Sequence, residues 1–142
     1  MIIDRTLQFS SDQAITADAA STNVIDLGVD RDLGVSSDIW IMGVVKTTLD
    51  SAGEAATLTV SLQTDSVENF GSPTTLFTTA ALAEAVLVAG YYFLKIKLPQ
   101  VTERYLRLYY DRGTEDFTGG TVDAWMGNAP QNWRAYDAVT GV

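Results

Sequence analysis

The chain has 142 residues, 46% of them apolar, and its 18 acidic and 9 basic side chains give a net charge of −9. This length is that of one domain, and the apolar share is too high for a disordered chain. The absence of cysteine and histidine excludes disulfides, thiolate or imidazole catalysis and zinc sites built on those residues, and the negative charge argues against nucleic-acid binding.

The first predicted element, residues 2–9, alternates weakly between apolar and polar side chains, which indicates an edge strand or an extended amino-terminal arm. Asp4 and Arg5 interrupt this segment before an apolar signal sequence could form. The longest apolar stretch, residues 85–94, contains a glycine and is flanked by charged residues, so no membrane span is expected. We therefore expect a protein made in a cytoplasm and without a membrane partner.

Period-two alternation is strongest in the middle of the chain and is typical of strands with one buried face. The clearest case is residues 57–63, where leucine and valine occupy one side. Residues 39–47 are almost wholly apolar, as in a strand covered on both faces. The short polar link around Gly53 predicts that these two strands form a hairpin.

Several further short strands are predicted, separated by glycine, proline and aspartate turns. They cover residues 22–27, 74–79, 91–98, 105–111 and 121–126, whereas residues 80–89 are ambiguous between helix and strand. This pattern predicts an all-β protein: a single-domain antiparallel β-sandwich, jelly-roll-like, over residues 1–127 with an arm at 1–9. Residues 128–142 lack the pattern and are predicted to form an irregular tail.

Residues able to support catalysis or bind a metal are sparse. Asp26, Asp30, Asp32 and Asp38 fall in one turn region and could bind calcium, but their spacing is not that of an EF-hand, so a solvated acidic loop is favoured. Two carboxylates could act as in glycosidases, although no pair stands out. We expect a protein that is not an enzyme and has no cofactor and no metal.

Aromatic and basic residues are concentrated towards the carboxyl end. Residues 1–90 carry 12 acids and 3 bases, whereas residues 91–142 carry 6 of each. If the last three predicted strands share a sheet, their outward side chains form a face rich in tyrosine, tryptophan and arginine, which are enriched in binding hot spots. Alternatively, these side chains only suit strands, or the tail folds over them. The predicted partner-binding residues on this face are Tyr91, Phe93, Tyr105, Arg107, Tyr109 and Trp125.

Four segments, in this order, carry a likeness to a known family. They are residues 1–10 (MIIDRTLQFS), 16–28 (TADAASTNVIDLG), Leu98-Pro99 leading to 103–110 (ERYLRLYY), and 119–122 (GGTV). The series resembles small capsid cement (decoration) proteins of short-tailed bacteriophages over most of the chain. Trp125 and the tail around Trp133 do not match that pattern.

This resemblance implies a jelly-roll domain, commonly a homodimer, that lies outside the phage capsid and bridges major capsid subunits. It would be a virion protein made in the cytoplasm of the host bacterium. The arm residues Ile2, Ile3 and Phe9 would then join the aromatic face in contacting the capsid or the dimer mate. The alternative is a carbohydrate-binding β-sandwich with a concave aromatic platform, and a hydrolase would need two carboxylates about 5 to 10 Å apart in a cleft.

Overall fold

The computed structural model describes residues 3–33 and 38–128. Within these ranges the chain forms ten strands and two single-turn 3-10 helices, Arg5–Leu7 and Glu84–Val86. None of the helical segments in the described ranges is long and apolar enough to cross a membrane. The strands are β1 (Gln8–Ala14), β2 (Ala19–Ala20), β3 (Ile25–Asp26), β4 (Ile39–Ser51), β5 (Thr57–Asp65), β6 (Thr74–Thr78), β7 (Leu82–Ala83), β8 (Tyr92–Lys97), β9 (Tyr105–Asp111) and β10 (Phe117–Asn128).

The strands form two antiparallel sheets that pack face to face, which confirms the predicted β-sandwich. The first sheet has the order β1-β10-β4-β8, and the second has the order β2-β9-β5-β6, with β3 also on β9 and β7 also on β5. β2 and β3 can be counted as one interrupted strand, and so can β6 and β7, which gives eight strands in all. In this count the first strand pairs with the eighth, the second with the seventh, the third with the sixth and the fourth with the fifth. This nested pairing is a jelly roll.

The predicted hairpin between residues 39–47 and 57–63 is wrong. β4 belongs to the first sheet and β5 to the second, so the link around Gly53 crosses between the sheets. The carboxylate of Glu115 fastens this corner by accepting hydrogen bonds from the backbone N–H groups of Gly53 and Ala55. Alternation identifies a strand and its buried side, but the pairing partner depends on the whole topology.

Several predicted boundaries also change. Of the segment predicted as an edge strand or arm, residues 5–7 form the 3-10 turn and residues 8–9 begin β1, which is an edge strand of the first sheet. Residues 22–27 contribute only Ile25–Asp26, and the ambiguous stretch 80–89 forms β7 and the second 3-10 turn. Asn128 ends β10, and the rest of the predicted tail lies outside the described residues.

The core lies between the sheets and consists of the inward side chains of alternating strands. The inward residues predicted for β5, β9 and β10 are all buried: Leu58, Val60, Leu62, Leu106, Leu108, Tyr110, Val122, Ala124 and Met126. Each large apolar side chain buried in this way contributes about 1.5–3 kcal/mol relative to exposure.

One polar link crosses the core between β1 and β9. The Tyr110 hydroxyl lies 2.7 Å from Ser10 Oγ, which donates to Gln13 Oε1 at 2.7 Å. The Gln13 amide in turn donates to the carbonyl of Ala20 at 2.9 Å. Burial raises the pKa of the Tyr110 phenol, so this hydroxyl stays neutral. The link satisfies the polar atoms that the inward face of β1 brings into the core.

Candidate protein-binding face

The last three predicted strands do not share a sheet, which corrects the predicted common aromatic face. β8 and β10 flank β4 in the first sheet, whereas β9 lies in the second. Outward side chains of β9 therefore point to the opposite side of the sandwich from those of β8 and β10. Tyr105, Arg107 and Tyr109 remain together, but Tyr91, Phe93 and Trp125 are separated from them.

Phe93 is 5% exposed and belongs to the core, so the prediction that it points outward is wrong. The ladder between β8 and β4 uses Tyr92 and Leu94 but skips Phe93, which is the extra residue of a β-bulge. Because the bulge shifts the alternation by one residue, Phe93 and Leu94 both face inward. The Phe93 ring occupies the space beside Gly43, where a Cβ would lie 2.3 Å from it, and meets Tyr110 edge-on at 6.3 Å.

Two other residues predicted to contact a partner are buried. Trp125 is 4% exposed, although it is not part of the central core cluster, and Phe9 is fully buried within that cluster. Both predictions of an accessible contact are wrong for the monomer. Tyr91 is partly buried and packs against the core. Ile3 is 36% exposed, and Ile2 lies outside the described residues.

The outer face of the second sheet keeps three of the predicted residues together. In β9 the partly buried Tyr105, Arg107 and Tyr109 alternate with core residues. Across the ladder, Gln63 pairs with Arg107 and Ser61 pairs with Tyr109. We call the following set the β9 face: Tyr105, Arg107 and Tyr109 of β9, Ser61 and Gln63 of β5, and Thr75 and Thr78 of β6. Phe70, from the loop before β6, is buried beside Arg107 and supports this face.

Arg107 is held in place at the centre of the β9 face. Its guanidinium carbon lies 4.2 Å from the centroid of the Phe70 ring and 5.8 Å from that of Tyr109. Its Nε donates a hydrogen bond to Gln63 Oε1 at 2.8 Å. A planar guanidinium suits such aromatic neighbours, and these contacts restrict its rotamers. The arginine is therefore pre-organised in the free protein.

The loop between β5 and β6 brings Phe70 to this position. The Asp65 carboxylate accepts hydrogen bonds from the N–H groups of Val67 at 3.0 Å and Ser72 at 3.2 Å. Phe70 itself has a φ of 50° and is 6% exposed. A left-handed backbone at a bulky residue costs about 1–3 kcal/mol, which the surrounding loop must offset.

A second arginine lies beside the β9 face. Arg104 forms two hydrogen bonds of 2.7 Å with the Asp26 carboxylate, and its guanidinium lies 4.9 Å from the Tyr105 ring. The hydrogen bonds from Arg104, and then that from the Gly28 N–H, lower the pKa of Asp26 to about 2. Asp26 was one of the four clustered acids, and the described residues contain no group of three or more side chains suited to holding a metal ion.

We expect Arg104→Gln to raise the pKa of Asp26 from about 2 towards its ordinary value of 3.8. Because the folded pKa is lowered, the pair stabilises the fold above about pH 4, and this stabilisation is lost as the pH falls towards 2. The measurement is an NMR titration of the Asp26 carboxyl carbon. Arg112→Gln is the control, since Arg112 pairs with Asp18 and Asp116 instead. An unchanged Asp26 midpoint in Arg104→Gln would show that the pair does not form in solution.

The site residues predicted from the sequence did not include Phe70, Gln63 or Arg104. Only a weak feature of the sequence marks Phe70 as a candidate site residue: it is a lone aromatic residue inside an otherwise polar turn that ends in Gly71-Ser72-Pro73. Its position over β9 depends on the path of the loop. Arg104 precedes β9 and could have been noticed only through its pairing with Asp26.

An open groove of about 540 Å³ lies apart from the residues of the β9 face. Its lining is mostly polar and contains no aromatic side chain: Arg5, Thr6, Gln8, Thr22, Asn23, Val24 and Glu68. Sugar-binding sites stack aromatic rings on the sugar, so the composition of this groove does not favour one.

The Bbp16 family model matches residues 9–126 of the chain. The match runs from Phe9 in β1 to Met126 in β10 and therefore includes every strand of both sheets and the whole β9 face. None of the curated protein sequences matches the chain.

Proposed function

The chain belongs to the Bbp16 family, and from this premise, together with the likeness of its segments to phage cement proteins, we propose that it is a structural protein of a bacteriophage virion. It binds the outside of the capsid and bridges major capsid subunits, which stabilises the shell. It acts as a homodimer after synthesis in the host bacterial cytoplasm. The β9 face is its contact surface for the capsid.

The composition of the β9 face is the observation that carries this proposal. Its centre holds Tyr105, Arg107 and Tyr109, the residue types that most often supply binding energy in protein interfaces. Uncharged serine, threonine and glutamine side chains of β5 and β6 lie beside this centre, as in an interface from which charge is depleted. Two acids lie at its margins: Asp65 pairs with Tyr105 across the ladder, and Asp111 follows Tyr109 on the outward side of β9.

The arrangement of the aromatic side chains favours a protein partner over a sugar. Arg104 lies against the ring of Tyr105, and Arg107 lies within about 6 Å of the centroids of both the Phe70 and the Tyr109 rings. These rings are engaged with guanidinium groups, whereas a sugar platform needs open ring faces. The carbohydrate-binding alternative therefore gains no support from this surface.

Modest contacts are sufficient for such a role. A shell presents many equivalent sites, and a dimer that engages two of them gains affinity through effective concentration. Each contact then needs only a few well-placed residues, because the second attachment is intramolecular.

Co-sedimentation with capsids that lack the protein tests the proposal. Wild-type protein is expected to pellet with the capsids, and the double variant Tyr105→Ala, Tyr109→Ala is expected to bind at least about tenfold more weakly, as for loss of interface tyrosines. Tyr91→Ala is the control, because it removes a partly buried tyrosine that directly precedes β8 of the first sheet. Wild-type protein that stays in the supernatant would refute the capsid role. Equal binding of wild type, the double variant and Tyr91→Ala would show that the capsid contact lies on another face.

A further inference from the structure

Arg107 carries a charge that no acidic side chain of the described residues neutralises. Four other basic residues each form an ion pair with an aspartate: Lys46, Lys97, Arg104 and Arg112. The described bases without such a pair, apart from Arg107, are Arg5, Arg31 and Lys95, and these three are exposed to solvent. Arg107 differs from them because it is partly buried. Removing a charge from water costs free energy, and a partner of opposite charge offsets that cost.

The geometry of Arg107 leaves one end of the guanidinium available. Its Nε donates a hydrogen bond to Gln63, and the Phe70 and Tyr109 rings offer no hydrogen-bond acceptor of the carboxylate kind to the other two nitrogens. No acceptor within residues 3–33 and 38–128 bonds to Nη1 or Nη2. The neighbouring carboxylate of Asp65 is occupied by the backbone of its own loop. Nη1 and Nη2 therefore form a fork on the β9 face that has no acceptor among the described residues.

We propose that this fork receives the carboxylate of an aspartate or glutamate side chain from the protein that the β9 face binds. The two carboxylate oxygens accept parallel hydrogen bonds from Nη1 and Nη2, a geometry that arginine provides and lysine does not. This inference rests on the proposed function and names the chemistry of the partner at that surface: an acidic side chain set among uncharged ones.

The charges of the β9 face favour a partner with a single carboxylate over a polyanion such as nucleic acid. Arg104, the nearest other cation of this surface, is already neutralised by Asp26. Lys95 and Lys97 belong to β8 in the opposite sheet. Arg107 is thus the one basic residue of the β9 face, and the acids Asp65 and Asp111 lie at its margins, whereas binding to a phosphate backbone requires several unpaired basic residues.

The test measures binding to capsids lacking the protein for wild type, Arg107→Gln and Arg107→Lys. Both variants are expected to bind at least about tenfold more weakly, because glutamine removes the charge and lysine removes the fork. Lys95→Gln is the matched control: it makes the same change in net charge on the opposite sheet and is expected to bind within about twofold of wild type. Wild-type binding is also expected to weaken as salt is raised, and this measurement needs no variant.

The outcomes separate the two proposals. If wild type binds capsids and Arg107→Gln or Arg107→Lys binds equally well, the carboxylate fork is refuted and the capsid role stands. If wild-type binding is insensitive to salt, the fork is refuted as well. If wild type does not bind capsids at all, both proposals fall together. Unfolding by urea confirms that each variant is folded before its binding is compared.

Discussion

Replacing Gly120 with valine is expected to lower the free energy of unfolding by about 3–5 kcal/mol. Gly120 has a φ of 94°, a conformation that β-branched residues rarely adopt. A Cβ at this position would lie 2.4 Å from the carbonyl oxygen of Thr48 and 2.6 Å from the Cα of Leu49. These are backbone atoms of β4, so the clash cannot be relieved by a side-chain rotation.

Gly119→Val is the matched control for this prediction. A Cβ at Gly119 would meet only the Cβ of Asp50, at 4.0 Å, and its backbone is not in the left-handed region. Valine suits strands, so we expect this variant to change stability by less than about 1 kcal/mol. Urea unfolding of both variants provides the comparison. Equal stabilities would mean that Gly120 does not lie against the β4 backbone at Thr48 and Leu49.

Phe9→Ala is expected to lower the free energy of unfolding by about 3–5 kcal/mol, the usual range for removing a buried aromatic ring. Phe9 is fully buried, and the change would leave a cavity between β1 and the rest of the core. The resemblance to cement proteins had suggested instead that this residue contacts a partner. A contact residue on an extended arm would affect binding and leave the stability of the monomer unchanged.

Ile3→Ala separates these two roles. Ile3 is 36% exposed and lies ahead of the first 3-10 turn, so its truncation is expected to change stability by less than about 0.5 kcal/mol. Thermal or urea unfolding of the two variants under the same conditions is the measurement. A Phe9→Ala protein as stable as Ile3→Ala would contradict the placement of β1 in the core.

The candidate site was partly predictable from the sequence. Tyr105, Arg107 and Tyr109 were assigned to one outward face because they alternate with leucines within a single strand. Phe93 could not be assigned in this way, because a bulge changes the alternation without a mark in the local sequence. Phe70 reaches Arg107 only through the folded loop, so its role is a tertiary contact between residues far apart along the chain.

Local alternation by itself determined that this is an all-β protein and which sides of β5, β9 and β10 are buried. The physical reason is that the two-residue period belongs to each strand and needs no knowledge of its neighbours. Only the tertiary structure decided which strands pair, because this jelly roll joins the first strand to the last and places β4 and β5, which follow each other along the chain, in opposite sheets. The observed strand pairing and loop path place Trp125 and Tyr91 away from Arg107, whereas Gln63 and Phe70 contact it.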